Sequence, residues 1–191
     1  MLTILPRLLQ KTKYYLQKNE KLLKSNQELN FQNSIDELTQ VLNRRGFMDK
    51  AEKELKRAAK AGQSGMVFFA DMDGLKKIND TYGHKVGDLA IQTEARVLSD
   101  AFRTTDIVGR LSGDEFAILS TGLTKNYIST IRTRIEQLNL IYSQKAGLPL
   151  TLSLSLGNVS FTPGKANLDT LLSKADQKLY KEKELKHALR Q

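Results

Sequence analysis

The spacing of apolar residues divides the chain at about residue 34. In the first part a leucine recurs at every seventh position, at Leu2, Leu9, Leu16 and Leu23. Heptad leucines are typical of a coiled coil, and polar Asn19 and Asn26 in the second core row favour a dimer of fixed register. We therefore predict that residues 1–34 form an amphipathic helix that acts as a coiled-coil linker. The alternatives are a lone helix packed on the rest of the chain and a basic helix that contacts a membrane surface.

Residues 35–191 show a different pattern, in which short apolar segments alternate with amphipathic ones. The predicted strands cover Gly65–Asp71, Asp106–Leu111, Glu115–Ser120 and Leu148–Phe161. The predicted helices cover residues 44–61, 75–81, 86–102, 125–142 and 167–190. Interleaved strands and helices indicate an α/β domain with one sheet and helices packed on it. The second and third strands are joined by a predicted hairpin turn at residues 112–114.

Composition narrows the classes of protein to which the chain can belong. Its 191 residues include 30 Lys and Arg, 21 Asp and Glu and no Cys, with a net charge of +9. The absence of Cys excludes a disulfide framework, a thiolate metal site and a Cys nucleophile. The longest strongly apolar run, Met66–Ala70, is too short to cross a membrane, and neither terminus resembles a signal peptide. We therefore expect a soluble, cytoplasmic chain, or the cytoplasmic part of a longer protein.

The excess of positive charge points to a polyanionic partner. Nucleic acid, an acidic membrane surface and nucleotide phosphates all fit this charge, as does a lysine-rich surface that is simply solvated. No nucleic-acid-binding motif is present, and clusters of carboxylates would repel a phosphate backbone in the absence of metal. We therefore expect no nucleic-acid partner.

Two pairs of acidic residues supply the candidate chemistry. Asp71 and Asp73 end the first predicted strand and, because strand residues alternate, point to one side of it. Asp114 and Glu115 lie in the hairpin turn. If the pairs meet, they need a cation between them, and a ligand set made only of oxygens selects Mg²⁺ or Mn²⁺. Such a site suits phosphoryl or nucleotidyl transfer, whereas either pair by itself is better explained as a solvated turn.

Five segments, in order along the chain, carry a resemblance to a known family. They are Asp36–Arg45 (DELTQVLNRR), Asp71–Asp88 (DMDGLKKINDTYGHKVGD), Leu111–Phe116 (LSGDEF), Ser155–Gly157 (SLG) and Ala175–Lys183 (ADQKLYKEK). Together they resemble the motifs of the GGDEF family of diguanylate cyclases, with Ser112 in place of the first Gly. The four letters GDEF are a weak signal alone, but five segments in register over residues 36–187 are very specific.

The resemblance implies a fold and a reaction for residues 35–191. The fold is a nucleotide-cyclase or polymerase-palm-like α/β domain with a central, mostly antiparallel sheet flanked by helices. The reaction condenses two GTP into cyclic di-GMP with release of two pyrophosphates, and it is assisted by Mg²⁺ (or Mn²⁺). Since each domain of the family holds one GTP, two domains must face each other, and a homodimer is implied.

The resemblance also implies roles for individual residues at the metal. The metal ligands are the carboxylates of Asp71, Asp114 and Glu115 and the backbone carbonyl of Met72. Asp114 is in addition the expected general base of the family. Because a bound cation lowers the pKa of its carboxylate ligand, the metal role of Asp114 is the better supported of the two.

The remaining residues carried over from the family bind nucleotide. Asn79 and Asp88 match its guanine-reading pair, and a carboxylate that accepts both guanine N1–H and N2–H selects GTP over ATP. The phosphate-binding candidates are Gly74, Leu75, Lys76, Gly113 and Lys183. His84 matches a Gly-His pair of the family, and we interpret it as structural. For Asn79 and Asp88 the alternative is a helix cap or turn.

An inhibitory product site is implied by a second group of residues. Arg103 and Asp106 form an R-x-x-D motif at the family's spacing before Ser112, and Arg57 matches the partner arginine of that site. Two arginines and an aspartate can bind the phosphates and guanine edges of cyclic di-GMP, which gives product feedback. The alternative is an Arg–Asp surface pair at the end of a helix.

Three departures from the family pattern affect the prediction of activity. Ser112 costs on the order of 1 kcal/mol if its backbone needs a positive φ. Glu182 brings a negative charge next to Lys183, and Lys186-His187 replaces a Gly-Arg that binds phosphate. These departures favour an alternative function, a weakly active or inactive domain that binds cyclic di-GMP or GTP as a receptor. The input signal is not encoded here, so an upstream sensor or membrane segment is expected if the chain is a fragment.

Overall fold

The computed structural model describes residues 34–188, together with the helical positions 13, 15 and 18. The heptad leucines predicted to form a coiled coil lie outside the described residues. Among the described residues, none of the helices has the length and apolar character needed to span a membrane.

Four strands form one sheet that organises the domain. They are β1 (Gly65–Met72), β2 (Ile107–Ser112), β3 (Glu115–Thr121) and β4 (Leu154–Phe161). Their order is β2-β3-β1-β4, and each strand is antiparallel to its neighbours. The mixed α/β fold with an antiparallel sheet is therefore confirmed. Because β1 lies inside the sheet and both faces of the sheet are covered, all eight of its residues are buried.

Five helices cover the two faces of this sheet. They are α1 (Arg44–Lys60), α2 (Leu75–Tyr82), α3 (His84–Ala101), α4 (Ile128–Lys145) and α5 (Leu168–Ala188), with a 3-10 turn at Lys125–Tyr127 before α4. Phe68 and Met66 of β1 pack in one core with α2, α3 and α4. Val67 and Phe69 point to the opposite face and pack in a second core with α1 and α5.

The predicted strand Leu148–Phe161 is too long, since β4 begins only at Leu154. Its neighbour β1 ends at Met72, opposite Leu154, and the chain then turns at Gly74, whose φ is 83°. Beyond Leu154 a single further backbone bond forms, from the Asp73 N–H to the Ser153 carbonyl at 2.8 Å. The backbone N–H of Leu152 donates instead to the Ser143 hydroxyl of α4 at 3.0 Å. The alternation of apolar and polar residues therefore extends beyond the segment in which β4 pairs with β1.

Helix α5 lies directly on β4 because Gly157 has no side chain. A Cβ at Gly157 would lie 1.9 Å from the backbone oxygen of Ala175, far closer than atoms can approach. This contact fixes the direction of α5. As a result Lys183 and Lys186, farther along the helix, reach the carboxyl end of β1.

Candidate metal and nucleotide site

The two acidic pairs meet at the carboxyl end of β1. Asp71 lies opposite Glu115 in the register between β1 and β3. The backbone N–H of Met72 donates to the backbone carbonyl of Asp114 at 3.3 Å. The antiparallel pairing of β1 with the hairpin therefore brings the Asp71-Met72 and Asp114-Glu115 segments side by side, although they are 43 positions apart in the chain.

The electrostatics of Asp71 indicate a concentration of negative charge. The pKa of Asp71 is raised to about 6, chiefly by burial and in part by the negative charges of Asp114 and Glu115. The ammonium of Lys183 opposes this rise, since its Nζ lies 2.5 Å from Asp71 Oδ1. A half-buried group of carboxylates with one lysine is therefore an environment in which an additional cation is stabilised.

Asp73 has a different environment, although it follows Asp71 by two residues. Its carboxylate accepts hydrogen bonds from Ser153 and Ser155 at 2.6 Å each and from Lys186 at 2.8 Å. Burial by itself would raise the pKa of Asp73, but the bonds from Lys186 and the two serines outweigh it and hold the pKa below its usual value. Asp73 is thus fully occupied by protein donors, and Asp71 is the member of the pair that faces the hairpin carboxylates.

The donor set fits a hard cation, but the side chains do not yet enclose one. The carboxylates of Asp71, Asp114 and Glu115, with the Met72 carbonyl, offer only oxygen atoms, which suits Mg²⁺ or Mn²⁺. Among the described residues there is no group of three or more acidic or histidine side chains arranged to hold a metal ion. Burial and the charges of Asp114 and Glu115 both raise the pKa of Asp71, and a cation between the carboxylates would offset both effects.

The turn after β1 leads into the candidate phosphate site. Gly74 adopts a left-handed φ of 83° as the residue before α2, and its carbonyl accepts the Ile78 N–H at 3.1 Å. Gly is favoured at this φ because a Cβ would strain the backbone. Leu75 and Lys76 form the first residues of α2, and Lys76 is exposed. The turn therefore presents backbone and one lysine beside Asp71.

Asn79 and Asp88 are brought together by the packing of α2 on α3. A Cβ at Gly87 would lie 1.9 Å from Asn79 Oδ1, so the Asn79 side chain rests against the first turns of α3, next to Asp88. Asn79 is half-buried and Asp88 is exposed, as is His84 at the start of the same helix. The predicted guanine-reading residues thus lie on two helices that pack against each other, on the same side of the sheet as the Gly74 turn.

The hairpin between β2 and β3 does not carry the strain expected at Ser112. Among the described residues Gln40 alone combines a side chain with a positive φ, so Ser112 has an ordinary backbone, and the left-handed position is Gly113 at 37°. The strain energy that a positive φ would have imposed on Ser112 therefore does not arise. Its hydroxyl instead donates a short hydrogen bond to the carboxylate of Glu115.

Arg110 connects the first motif of the chain to this hairpin. Its Nε donates to the Gly113 carbonyl at 2.8 Å, and its guanidinium pairs with Asp36 at 3.0 Å. Burial would raise the pKa of Asp36, but hydrogen bonds from Thr39 and Arg110 hold the pKa below its usual value. Arg110 was not singled out from the sequence, because nothing in the local pattern distinguishes it from a surface arginine.

The negative charge of Glu182 is neutralised within the protein. Its carboxylate pairs with Arg132 of α4 at 2.7 Å and accepts the Leu156 N–H at 3.2 Å. The negative charge that Glu182 brings next to Lys183 is thus balanced by Arg132 in this structure. Lys186, which stands with His187 where the family has Gly-Arg, pairs with Asp73 at 2.8 Å.

The R-x-x-D residues form a turn that lines a cavity of about 180 Å³. Asp106 accepts the backbone N–H of Arg103 at 2.9 Å, and both line the cavity with Arg134 and Tyr127 of the α4 region. Arg134 was missed by sequence reasoning, since it lies 28 positions beyond Asp106 with no motif around it. Arg57 does not line this cavity in the described part of the chain. It is exposed on α1 and pairs with Glu54 at 2.7 Å.

Comparisons with known proteins agree with this geometry. The sequence profile described as "Diguanylate cyclase, GGDEF domain" matches residues 33–188. Diguanylate cyclase DosC of Escherichia coli (strain K12) is 35% identical over 150 residues, which are 76% of this chain and 32% of DosC. Diguanylate cyclase DgcP of the same strain is 32% identical over 176 residues, 90% of this chain and 52% of DgcP. The chain thus spans between about a third and a half of these relatives.

Solved structures show the same fold. The coiled coil and GGDEF domain of DgcB from Caulobacter crescentus, in complex with c-di-GMP, aligns with a TM-score of 0.71 at 22% identity, covering 93% of this chain and 94% of that one. The GGDEF domain of TpbB (YfiN) from Pseudomonas aeruginosa (PAO1) aligns with a TM-score of 0.68 at 30% identity, covering 79% and 89%.

Proposed function

This chain belongs to the GGDEF family, and on that premise we propose that it is a diguanylate cyclase. It condenses two GTP into cyclic di-GMP and releases two pyrophosphates. The observation that carries the proposal is the meeting of Asp71 with Asp114 and Glu115 at the end of β1, beside the Gly74 turn. The chain would work in the cytoplasm, as the catalytic part of a longer protein or with a separate partner that supplies the signal.

The metal would be held by the carboxylates of Asp71, Asp114 and Glu115 and by the Met72 carbonyl. When bound, Mg²⁺ (or Mn²⁺) supplies positive charge to the triphosphate and acidifies the attacking hydroxyl. Lys183, now paired with Asp71 at 2.5 Å, is close enough to serve the phosphates as well. Asp114, the general base that the family resemblance implies, would receive the proton of the hydroxyl, directly or through water.

The nucleotide would lie across α2, between the metal ligands and the start of α3. Gly74, Leu75, Lys76 and Gly113 line its phosphates, and Asn79 with Asp88 binds the guanine edge. A carboxylate at Asp88 can accept from both N1–H and N2–H of guanine, whereas adenine offers no such pair. The arrangement therefore favours GTP over ATP, with His84 a neighbour of the guanine site.

Two copies of the chain would act together. The 3′-oxygen of one GTP attacks the α-phosphorus of the other, which forms a P–O bond and expels pyrophosphate. A second attack, with the roles of the two nucleotides exchanged, forms the other P–O bond, expels the second pyrophosphate and closes the ring. Residues 35–191 form the catalytic domain in this proposal, and residues 1–34 pair two chains as a coiled coil so that the domains meet.

Product would bind at the cavity of Arg103, Asp106 and Arg134. Two guanidinium groups and a carboxylate can take the phosphates and guanine edges of cyclic di-GMP. Arg57 lies outside this cavity, so its contribution would come from a second domain that the product links to the first. Occupation of the site would hold the two catalytic centres apart and limit further synthesis.

The test is turnover of GTP by the purified chain with Mg²⁺, followed by chromatography for cyclic di-GMP, with ATP and EDTA as controls. We expect cyclic di-GMP and pyrophosphate from the wild type and no product from Asp114→Ala. Absence of product from a folded wild type that binds GTP would contradict the proposal. Tight binding of cyclic di-GMP that is lost on Arg103→Ala would then identify the chain as a receptor.

A further inference from the structure

A second cavity, of about 400 Å³, lies on the other side of the catalytic hairpin. Gly113 of the hairpin and Arg110 form one wall, and Arg44 and Arg45, in the first turn of α1, form the other. Of the residues proposed to hold the chain's own nucleotide, Gly113 alone lines this cavity. Most of the others lie on α2 and at the start of α3, which cover the sheet face opposite to α1.

The charges in this cavity are not balanced. Arg110 is neutralised by Asp36 at 3.0 Å and is held by the Gly113 carbonyl. Arg44 and Arg45 are exposed and have no ion pair with any residue of the described part of the chain. The first turn of α1 contains no acidic residue to compensate them. Two unpaired guanidinium groups in a concave site next to a hairpin are complementary to a phosphate-bearing ligand.

The proposed reaction supplies such a ligand from outside the domain. Each domain holds one GTP, so the phosphate that is attacked belongs to a nucleotide on a second copy of the chain. That nucleotide must approach the hairpin that carries Asp114 from outside its own domain. Its triphosphate brings several negative charges toward a hairpin whose side chains are themselves acidic. Cations beside the hairpin would offset this repulsion at the point of approach.

We propose that the Arg44–Arg45 cavity binds phosphate groups of the nucleotide held by a second copy of the chain. This inference rests on the proposed cyclase function. Arg44 and Arg45 are then substrate-binding residues that act across the dimer. They orient the α-phosphate for attack and do not retain the chain's own GTP. Arg110 is a positioning residue, since it holds the Gly113 carbonyl at the edge of the same cavity.

The test compares Arg44→Ala/Arg45→Ala with a matched variant, Lys50→Ala/Lys53→Ala. The control removes two exposed cations from the same helix, outside the cavity. Three measurements are needed: the rate of cyclic di-GMP formation at several protein concentrations, calorimetric binding of a non-hydrolysable GTP analogue, and the oligomeric state by light scattering.

Loss of two charge-assisted phosphate contacts should lower turnover roughly 10- to 100-fold. Analogue binding and oligomeric state should stay unchanged, and Arg44→Lys/Arg45→Lys should recover part of the rate.

Several results would overturn the inference. Turnover equal to that of the lysine control would show that the cavity is not used. A parallel loss of analogue binding would show that the arginines hold the chain's own nucleotide. Full recovery of turnover at high protein concentration would show that Arg44 and Arg45 act in dimer formation and not in substrate binding. If the wild type itself forms no cyclic di-GMP, both the proposed function and this inference fail. If the wild type is active and the arginine variant keeps its rate, only this inference fails, so the two failures are distinguishable.

Discussion

Glu94 of α3 is a fully buried carboxyl group that no motif predicts. Its pKa is raised to about 8 from the usual 4.5, chiefly by burial and in part by the negative charge of Asp73, while Asn139 and Lys186 oppose the rise. A protonated Glu94 can also donate a hydrogen bond, and the buried Oδ1 of Asn139 has no partner in the described part of the chain. The folded protein therefore holds Glu94 in its neutral form at pH 7.

We expect Glu94 to make stability depend on pH. Because the folded pKa lies above the unfolded one, the folded state binds the proton more tightly, and the contribution to the free energy of unfolding is complete below pH 4.5. It is lost as the pH rises through about 8. Glu94→Gln should therefore flatten this decline. Urea denaturation between pH 5 and 8 measures it, with the exposed Glu136→Gln as control, and an unchanged slope in Glu94→Gln would contradict the argument.

The hairpin residues Ser112 and Gly113 lead to two predictions about stability, each with its own physical cause. Gly113→Ala should lower the free energy of unfolding by about 1 kcal/mol, because alanine is strained at a positive φ. Ser112→Gly should also lower it, by less than roughly 1 kcal/mol, because glycine adds backbone entropy to the unfolded state. Chemical denaturation of both variants decides the point. An increase in stability on Ser112→Gly would mean that the serine is strained after all.

At the scale of secondary-structure elements, the contact of α5 with β4 sets the position of the site. Lys183 and Lys186 reach Asp71 and Asp73 because the helix rests on the bare backbone at Gly157. Arg132 adds a link from α4 by pairing with Glu182 of the same helix. The site therefore depends on the packing of α5 against β4 and α4, and not only on β1 and the hairpin that carry the acidic residues.

Gly157→Ala should disrupt this packing. The added methyl group would lie 1.9 Å from the Ala175 carbonyl oxygen, which belongs to rigid helix backbone. Separation of α5 from β4 should cost about 1–3 kcal/mol of unfolding free energy. Thermal denaturation would detect the loss, and Ser160→Ala, on an exposed position of β4, provides the control. Wild-type stability in Gly157→Ala would mean that α5 is free to move away at little cost.

At the scale of the whole molecule, the proposed reaction requires two domains, and the first 34 residues are the element predicted to pair them. Leu16→Asp together with Leu23→Asp should shift the chain toward monomer, because charges replace two heptad core positions. Turnover should fall most at low protein concentration, where association limits the rate. Light scattering and initial rates over a concentration series test this. Unchanged activity in dilute solution would contradict pairing through this segment.

Sequence reasoning was most successful where structure depends on local pattern. The order of helices and strands, the hairpin at Ser112-Gly113 and the buried strand β1 were all predictable from apolar spacing and turn residues. The family and its acidic motifs were likewise readable, because each motif is a short run with fixed spacing. The length of β4 was misjudged because alternation does not reveal where a neighbouring strand ends.

The choice of electrostatic partners depended on tertiary structure alone. Asp71 and Asp73 look equivalent in the sequence, yet only packing against β4 and α5 gives Asp73 two serines and a lysine and leaves Asp71 facing the hairpin. Arg132 lies 50 positions from the Glu182 that it neutralises. The amino-acid sequence by itself determines which chemical groups the chain carries and how they are spaced along it. Which of them meet was decided by contacts between distant elements, because the energy of a charge depends on its neighbours and burial in space.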